Sequence, residues 1–147
     1  MIIIPLESIG NIKKKMKKFS YASLEGSFIK YSSPFGLGHA YIISYSNSDI
    51  KYNQPVKVET LYEHILNFNK TDCSVAVFKE LEIKGNYNII GKISFIYKDD
   101  NGFNDLLVVS CNDLTFFVDK KDFKNVCVKL GDWVEFNITA LEFYSME

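Results

Sequence analysis

The chain has 147 residues, 47% of them apolar and 15% aromatic, enough apolar material to pack one domain or two very small ones. Its formal charge of −1 hides a segregation: all 17 basic residues are lysine, and Lys13, Lys14, Lys15, Lys17 and Lys18 stand together. Residues 19–147 therefore hold 12 lysines against 17 acids, and the absence of arginine excludes the usual bidentate reader of phosphate and guanine. The richness in Lys, Asn, Ile, Phe and Tyr is that of an AT-rich genome, so the missing arginine says more about coding than about ligand.

Ile2-Ile3-Ile4 reads as a short strand that Pro5 limits to an edge or an end. The apolar stretch Met1–Leu6 precedes the lysines, the reverse of a secretory signal peptide, and no apolar run reaches spanning length. A soluble, cytoplasmic chain with no membrane partner is expected. Residues 11–19 place Ile12, Met16 and Phe19 at helical spacing among lysines, which suits a short amphipathic helix or a mobile basic arm. Leu24–Tyr31, His39–Tyr45 and Ile50–Val58 follow as strands, with turns at Ser32–Gly36 and Asn47–Asp49. Thr60–Phe68 reads as a helix, because Thr60 and Glu63 form a capping box and Leu61, Ile65, Leu66 and Phe68 make a stripe. Cys73–Phe78 is the next strand. Asn88–Tyr97, Asp105–Cys111, Leu114–Asp119, Trp133–Thr139 and Leu141–Tyr144 complete the strands, with a hairpin loop at Asp99–Gly102 and a tight turn at Asn112-Asp113. Lys120–Val126 is a loop or a single helical turn, and Trp133 plugs a barrel end.

Within this order Gly91-Lys92-Ile93-Ser94-Phe95-Ile96-Tyr97 is followed by Gly102-Phe103, by Asp113–Val118 and by Gly131-Asp132-Trp133. The succession resembles the cold-shock domain, a five-stranded barrel of the oligonucleotide/oligosaccharide-binding (OB) type. A worn copy occurs earlier, in Gly26–Tyr31, Gly36–Ile42 and Asp49–Asn53: Gly26 precedes Gly91 by 65 residues and Asp49 precedes Asp113 by 64. The resemblance implies an all-β chain of two tandem five-stranded OB/cold-shock-like barrels packed together. The divisions are a basic segment at 1–20, a first barrel at 21–87 and a second at 88–147.

The same resemblance implies aromatic rings laid on one face, on which unstacked bases lie. Carried over residue by residue, it assigns Phe95, Phe103 and Phe117 to stacking, with Tyr31, Tyr41 and Tyr52 extending the platform and Lys13, Lys14, Lys15, Lys17 and Lys18 meeting phosphates. Asn104 stands where the family has its second glycine, Asp105 and Thr115 stand where it has rings, and an acid at a stacking position repels phosphate. The first copy keeps Gly36 and Gly38 but has Leu37 and His39 where the rings would stand. Read from alternation alone, the rings equally suit core or interface packing, and Phe116 and Phe117 must face opposite ways.

No enzyme is expected, for His39 and His64 lie near no nucleophile at a catalytic spacing and no phosphate loop is present. Cys73, Cys111 and Cys127 form no CxxC pair, so buried free thiols rather than zinc are expected. Neither metal nor cofactor is implied. Two partners fit: single-stranded RNA or DNA, or a basic protein. In the second case the chain is an immunity or antitoxin-type inhibitor of a bacterial nuclease toxin, with Asp99, Asp100, Asp105 and Asp122 around a Phe103 anchor.

Overall fold

A computed structural model describes the backbone of residues 1–19, 22–44 and 50–145, with side chains over 1–9, 26–44 and 50–145. The chain is all-β. Its strands are β1 (Ile2–Phe19), β2 (Ala22–Ser33), β3 (Gly36–Ser44), β4 (Val56–Leu61), β5 (His64–Lys70), β6 (Val77–Glu80), β7 (Tyr87–Lys98), β8 (Asn104–Cys111), β9 (Leu114–Asp119), β10 (Trp133–Thr139) and β11 (Glu142–Ser145). One helical turn, α1 (Lys120–Phe123), follows β9. Among the described residues no helix is long and apolar enough to cross a membrane.

Two units share these strands. β1, β2, β3, β11 and β4 close a barrel in that order, and β3 and β11 run parallel. The second unit is a sheet in the order β5, β10, β7, β8, β9, with β6 on the free side of the first half of β7. Taken from their first strands, the units have the same succession. A three-stranded meander is joined by a fourth strand antiparallel to the first, and a fifth lies antiparallel to the fourth. The second unit differs in leaving its seam between β9 and β5 without ladder hydrogen bonds.

The fifth strands are exchanged between the units. β5 follows β4 in sequence yet pairs with β10, and β11 follows β10 yet pairs with β4. The register explains why. Leu61↔Glu142 is succeeded by His64↔Thr139, three residues on in each strand, so β4–β5 and β10–β11 form one continuous antiparallel ribbon through both units. Glu63 N donates to Thr139 O across the break at 2.9 Å. β3 begins at Gly36 and β9 at Leu114, and β5 begins at His64 and β11 at Glu142, so the structural repeat is 78 residues in both places.

That spacing corrects the 65-residue repeat. Aligning Gly26 with Gly91 equates β2 with β7, a second strand with a first, and leaves the lysine-rich start out of the barrel. The backbone of residues 2–19 is instead the barrel's first strand, paired with β2 from Ile4↔Ser32 to Phe19↔Ala22. Ladders link the segments on either side of the divisions expected at 20 and 87: β1 pairs with β2 across the first, and β5 with β10 and β11 with β4 across the second. The helix expected at Thr60–Phe68 is also absent: Val56–Leu61 alternates buried and exposed, as a strand does. In β5, Asn67 and Phe68 together oppose Phe136, a bulge that turns both Ile65 and Phe68 toward the core. Their three-residue spacing imitates a helical face.

The core is continuous. Ile3, Ile29, Tyr31, Ala40, Ile42, Val58 and Phe143 fill the barrel, while Ile89, Ile93, Leu107, Val109, Phe116, Val118, Val134 and Phe136 line the second sheet. Phe78 and Tyr87, stacked at 4.4 Å, lie between the two sets. The strands expected at 88–97, 105–111, 114–119, 133–139 and 141–144 are present to within a few residues.

Candidate functional site

The outer face of β7–β8–β9 is built from three cross-strand rows. Residues directly opposite one another share a face, so the pairing gives Lys92–Ser110–Thr115, then Phe95–Val108–Phe117, then Tyr97–Leu106–Asp119. The intervening residues Ile93, Val109 and Phe116, and Leu107 and Val118, are buried beneath. A bulge sets this arrangement. Ser94 is left over between Ile93↔Val109 and Phe95↔Val108, which keeps Phe95 outside after an inward Ile93. Ser94 Oγ donates to Val108 O at 3.2 Å and Ser110 Oγ donates to Ser94 Oγ at 2.8 Å, so the extra residue is pinned by its own hydroxyl.

The rings on this face are wet. Phe95 and Tyr97 are each 51% exposed and Phe117 47%. Phe95 and Tyr97 touch at 4.6 Å with planes 58° apart, while Phe95 and Phe117 stand about 10 Å apart at the backbone, two strand spacings. Such exposure of large apolar side chains on one face costs solvation and marks a contact surface more often than a solvent surface. Phe103, 66% exposed, sits in the β7–β8 loop. Asp99 Oδ1 orders that loop by accepting from Asn101 N at 2.9 Å and Phe103 N at 3.0 Å, and Gly102 takes φ +81°. Lys120 Nζ lies 3.9 Å from Asp99. Lys92, Lys98 and Lys120 are thus set against Asp99, Asp100, Asp105 and Asp119, and the surroundings of the face are close to neutral.

Phe95 and Phe117 share one face, on either side of Val108, and Tyr97, which is outside the predicted set, stands beside Phe95. Without the Ser94 bulge the outward set on β7 could not be counted; Tyr97 two residues beyond Phe95 was the available signal. Asp105 does not stand at a ring position. It is the residue left over between Tyr97↔Leu106 and Lys98↔Asn104, and it is exposed. Asp100 is exposed, and Asp99 and Asp122 are half-buried.

The first unit's aromatics do not extend the platform. Tyr31 is 1% exposed inside the barrel, edge-on to Phe143 at 4.9 Å, because it falls on the inward phase of β2. Tyr52 is half-buried against the core. Tyr41 is half-buried beside Phe28 at 4.9 Å, on a β2–β3 surface that Gly85 of the β6–β7 turn covers by packing on the Phe28 ring. The backbone of Lys13, Lys14 and Lys15 pairs with β2, remote in the ladder from β7–β9; the side chains of the five clustered lysines lie outside the described residues.

Two clefts flank these elements. One, of about 240 Å³, opens at the seam between β9 and β5 and is lined by Tyr62, His64, Phe117, Asp119 and Asp122. There Thr60 Oγ1 donates to Thr115 O at 2.8 Å and the Tyr62 hydroxyl donates to Phe117 O, replacing ladder bonds with side chains. Burial, then the nearby Asp122 and Asp119, raises the Tyr62 phenol above its ordinary range.

The other cleft, of about 320 Å³, lies where the barrel meets β6. At its floor the Tyr87 hydroxyl donates to His39 O at 2.8 Å and shares a 2.8 Å hydrogen bond with Tyr31. Glu80 accepts from His39 N at 3.0 Å and Gly85 N at 2.9 Å and pairs with His39 Nδ1 at 3.0 Å. Burial raises both phenols. Among the described residues no group of three or more His, Cys, Asp or Glu could hold a metal ion.

Comparison with protein-family models, with curated proteins and with solved structures finds no match for this chain.

Proposed function

We propose that the protein is a non-enzymatic binding module whose two units are OB-type barrels with exchanged fifth strands, and that the β7–β8–β9 face holds single-stranded nucleic acid. The observation that carries this reading is the pair of rows in which Phe95, Phe117 and Tyr97 stand exposed around half-buried Val108 and Leu106. Every base has a π-face, and stacking on a protein ring contributes about 1–3 kcal/mol per base. A nearly neutral face gives little repulsion to phosphate, and the lysines of β1 supply the sequence-independent attraction.

Fluorescence anisotropy with a labelled mixed-sequence oligonucleotide tests it. Single strands bind in preference to duplex. Phe95→Ala with Phe117→Ala weakens binding by about 2–6 kcal/mol, hence at least tenfold, without moving the urea midpoint. Because β1 belongs to the barrel, the lysines are tested by substitution with Gln rather than by deletion. That change flattens the salt slope, through fewer released counterions. Absence of any binding at low salt and tens of micromolar protein would falsify the reading.

A protein partner is the second reading, supported by an apolar centre whose margin carries Asp99, Asp100, Asp105 and Asp119 beside Lys92, Lys98 and Lys120. Asp105→Lys separates the two. It strengthens oligonucleotide binding under the first reading and slows association with a basic toxin-like protein under the second.

A further inference from the structure

Among the described residues β6 pairs with no strand but β7, and its outer edge forms one wall of the 320 Å³ cleft. Leu81 N donates to Asn86 O at 2.8 Å, and the register Lys79↔Asn88 and Val77↔Ile90 continues that phase. The peptide groups of Val77, Lys79 and Leu81 therefore face β7, and by alternation those of Phe78 and Glu80 face the cleft. Among the described residues nothing hydrogen-bonds to the backbone N–H or C=O of Phe78 or Glu80. Phe78 is only 6% exposed, and buried backbone groups are nearly always paired in native structures.

An open strand edge takes an extended backbone, and residues directly opposite one another share a face. A segment laid antiparallel on β6 sets one residue opposite Phe78, the preceding one opposite Lys79 and the one before that opposite Glu80. The residue opposite Phe78 turns inward, toward Phe35 and exposed Leu37 of the cleft wall, which suits an apolar side chain. The residue opposite Lys79 turns outward beside an exposed ammonium that pairs with no acid among the described residues, which suits a carboxylate. Beside Glu80, whose carboxylate already accepts from His39 and Gly85, a small residue fits. A second copy is a poorer occupant, since the two-fold pairing that uses both open residues sets Lys79 against its own counterpart.

We propose that the β6 edge binds an extended peptide segment of another protein by strand addition, with an apolar residue opposite Phe78 and an acidic residue opposite Lys79. The inference is independent of the oligonucleotide reading, since it uses neither Phe95 nor Phe117.

The probe is a fluorescein-labelled peptide, Thr-Ser-Glu-Val-Thr, titrated against the full chain by anisotropy and followed residue by residue by hydrogen exchange. It binds saturably at concentrations up to about 1 mM. Exchange slows at the amides of Phe78 and Glu80 and changes least at Lys79, whose amide already faces β7. The same peptide N-methylated at its valine lacks the N–H that Phe78 O accepts, and binds about tenfold more weakly. Lysine in place of the peptide's glutamate weakens binding about two- to fivefold, by making the cross-strand pair repulsive. Lys79→Glu, at an exposed position, reverses that order without touching the core. Phe95→Ala with Phe117→Ala changes none of these results. The proposal is overturned if the probe does not bind, if N-methylation has no effect, or if Lys79→Glu leaves the preference unchanged. It is equally overturned if the Phe95/Phe117 variant abolishes binding. Slow exchange at Phe78 and Glu80 that grows with protein concentration in the absence of peptide would give the edge to a second copy and overturn it too.

Discussion

Truncating Phe143 tests the strand exchange directly. Its ring is fully buried in the barrel, edge-on to Tyr31, although it lies 101 residues beyond Ile42, its neighbour on β3. Phe143→Ala removes a buried phenyl group and leaves a cavity, a loss of about 3–5 kcal/mol. At about 2–4 °C per kcal/mol for a chain of this size, the melting temperature falls by roughly 6–20 °C. The protein remains folded at 25 °C if its stability is ordinary, about 5–15 kcal/mol.

The location of the loss matters more than its size. Hydrogen exchange followed by NMR or mass spectrometry is expected to quicken first at residues 41–43 and 58–61, which flank β11, while β7–β9 stay protected. Phe68→Ala is the reciprocal experiment. Phe68 packs on Phe136 at 5.8 Å and Phe123 at 6.3 Å, so exchange quickens first across Val134–Thr139 and the barrel is spared. If Phe143→Ala loosens β7–β9 ahead of β3 and β4, the C-terminal strand does not belong to the barrel. Uniform loosening of both units would refute the claim that each exchanged strand stabilises its host unit first.

Gly38→Ala places a methyl group against the Tyr87 hydroxyl and 2.8 Å from the Tyr31 hydroxyl, so it prises apart the phenol pair. A urea melt is expected to show a loss of about 1–3 kcal/mol, and no loss would mean that the pair is not held there. Burial raises the Cys111 thiol from 9.0 to about 12, and the Tyr31, Tyr62 and Tyr87 phenols are raised for the same first reason. The folded state holds these protons more tightly than the unfolded chain. Their stabilisation is therefore complete below about pH 9 and declines between about 9 and 12, which pH-dependent unfolding checks. Consistently, a thiol reagent at neutral pH should label exposed Cys73 and Cys127 but reach Cys111 only after unfolding. Asp99→Ala removes the acceptor of two loop amides and should cost about 1 kcal/mol while freeing Phe103, visible as faster exchange at Asn101 and Phe103.

Much of the second unit could be read from the chain because its determinants are local. Alternation in Leu114–Asp119 and Trp133–Thr139, Gly102 at positive φ in its hairpin, and Asn112 at φ +54° in the next turn act within a few residues. The inward Phe116 and outward Phe117 follow from the same two-residue period. Bulges escaped that reasoning, since an extra residue at Ser94, Asp105 or Asn67 shows itself only against the partner strand. They shifted Asp105 off its supposed ring position, hid Tyr97, and gave β5 the spacing of a helix. Lysine-rich β1 escaped for another reason: charge described its side chains, whereas pairing with β2 decided its backbone. Above all, nothing local distinguishes a β4–β5 segment that turns back on itself from one that runs on into the other unit. That choice rests on a ladder between residues 58–70 and 134–145, a pairing of distant segments that only the tertiary structure selects.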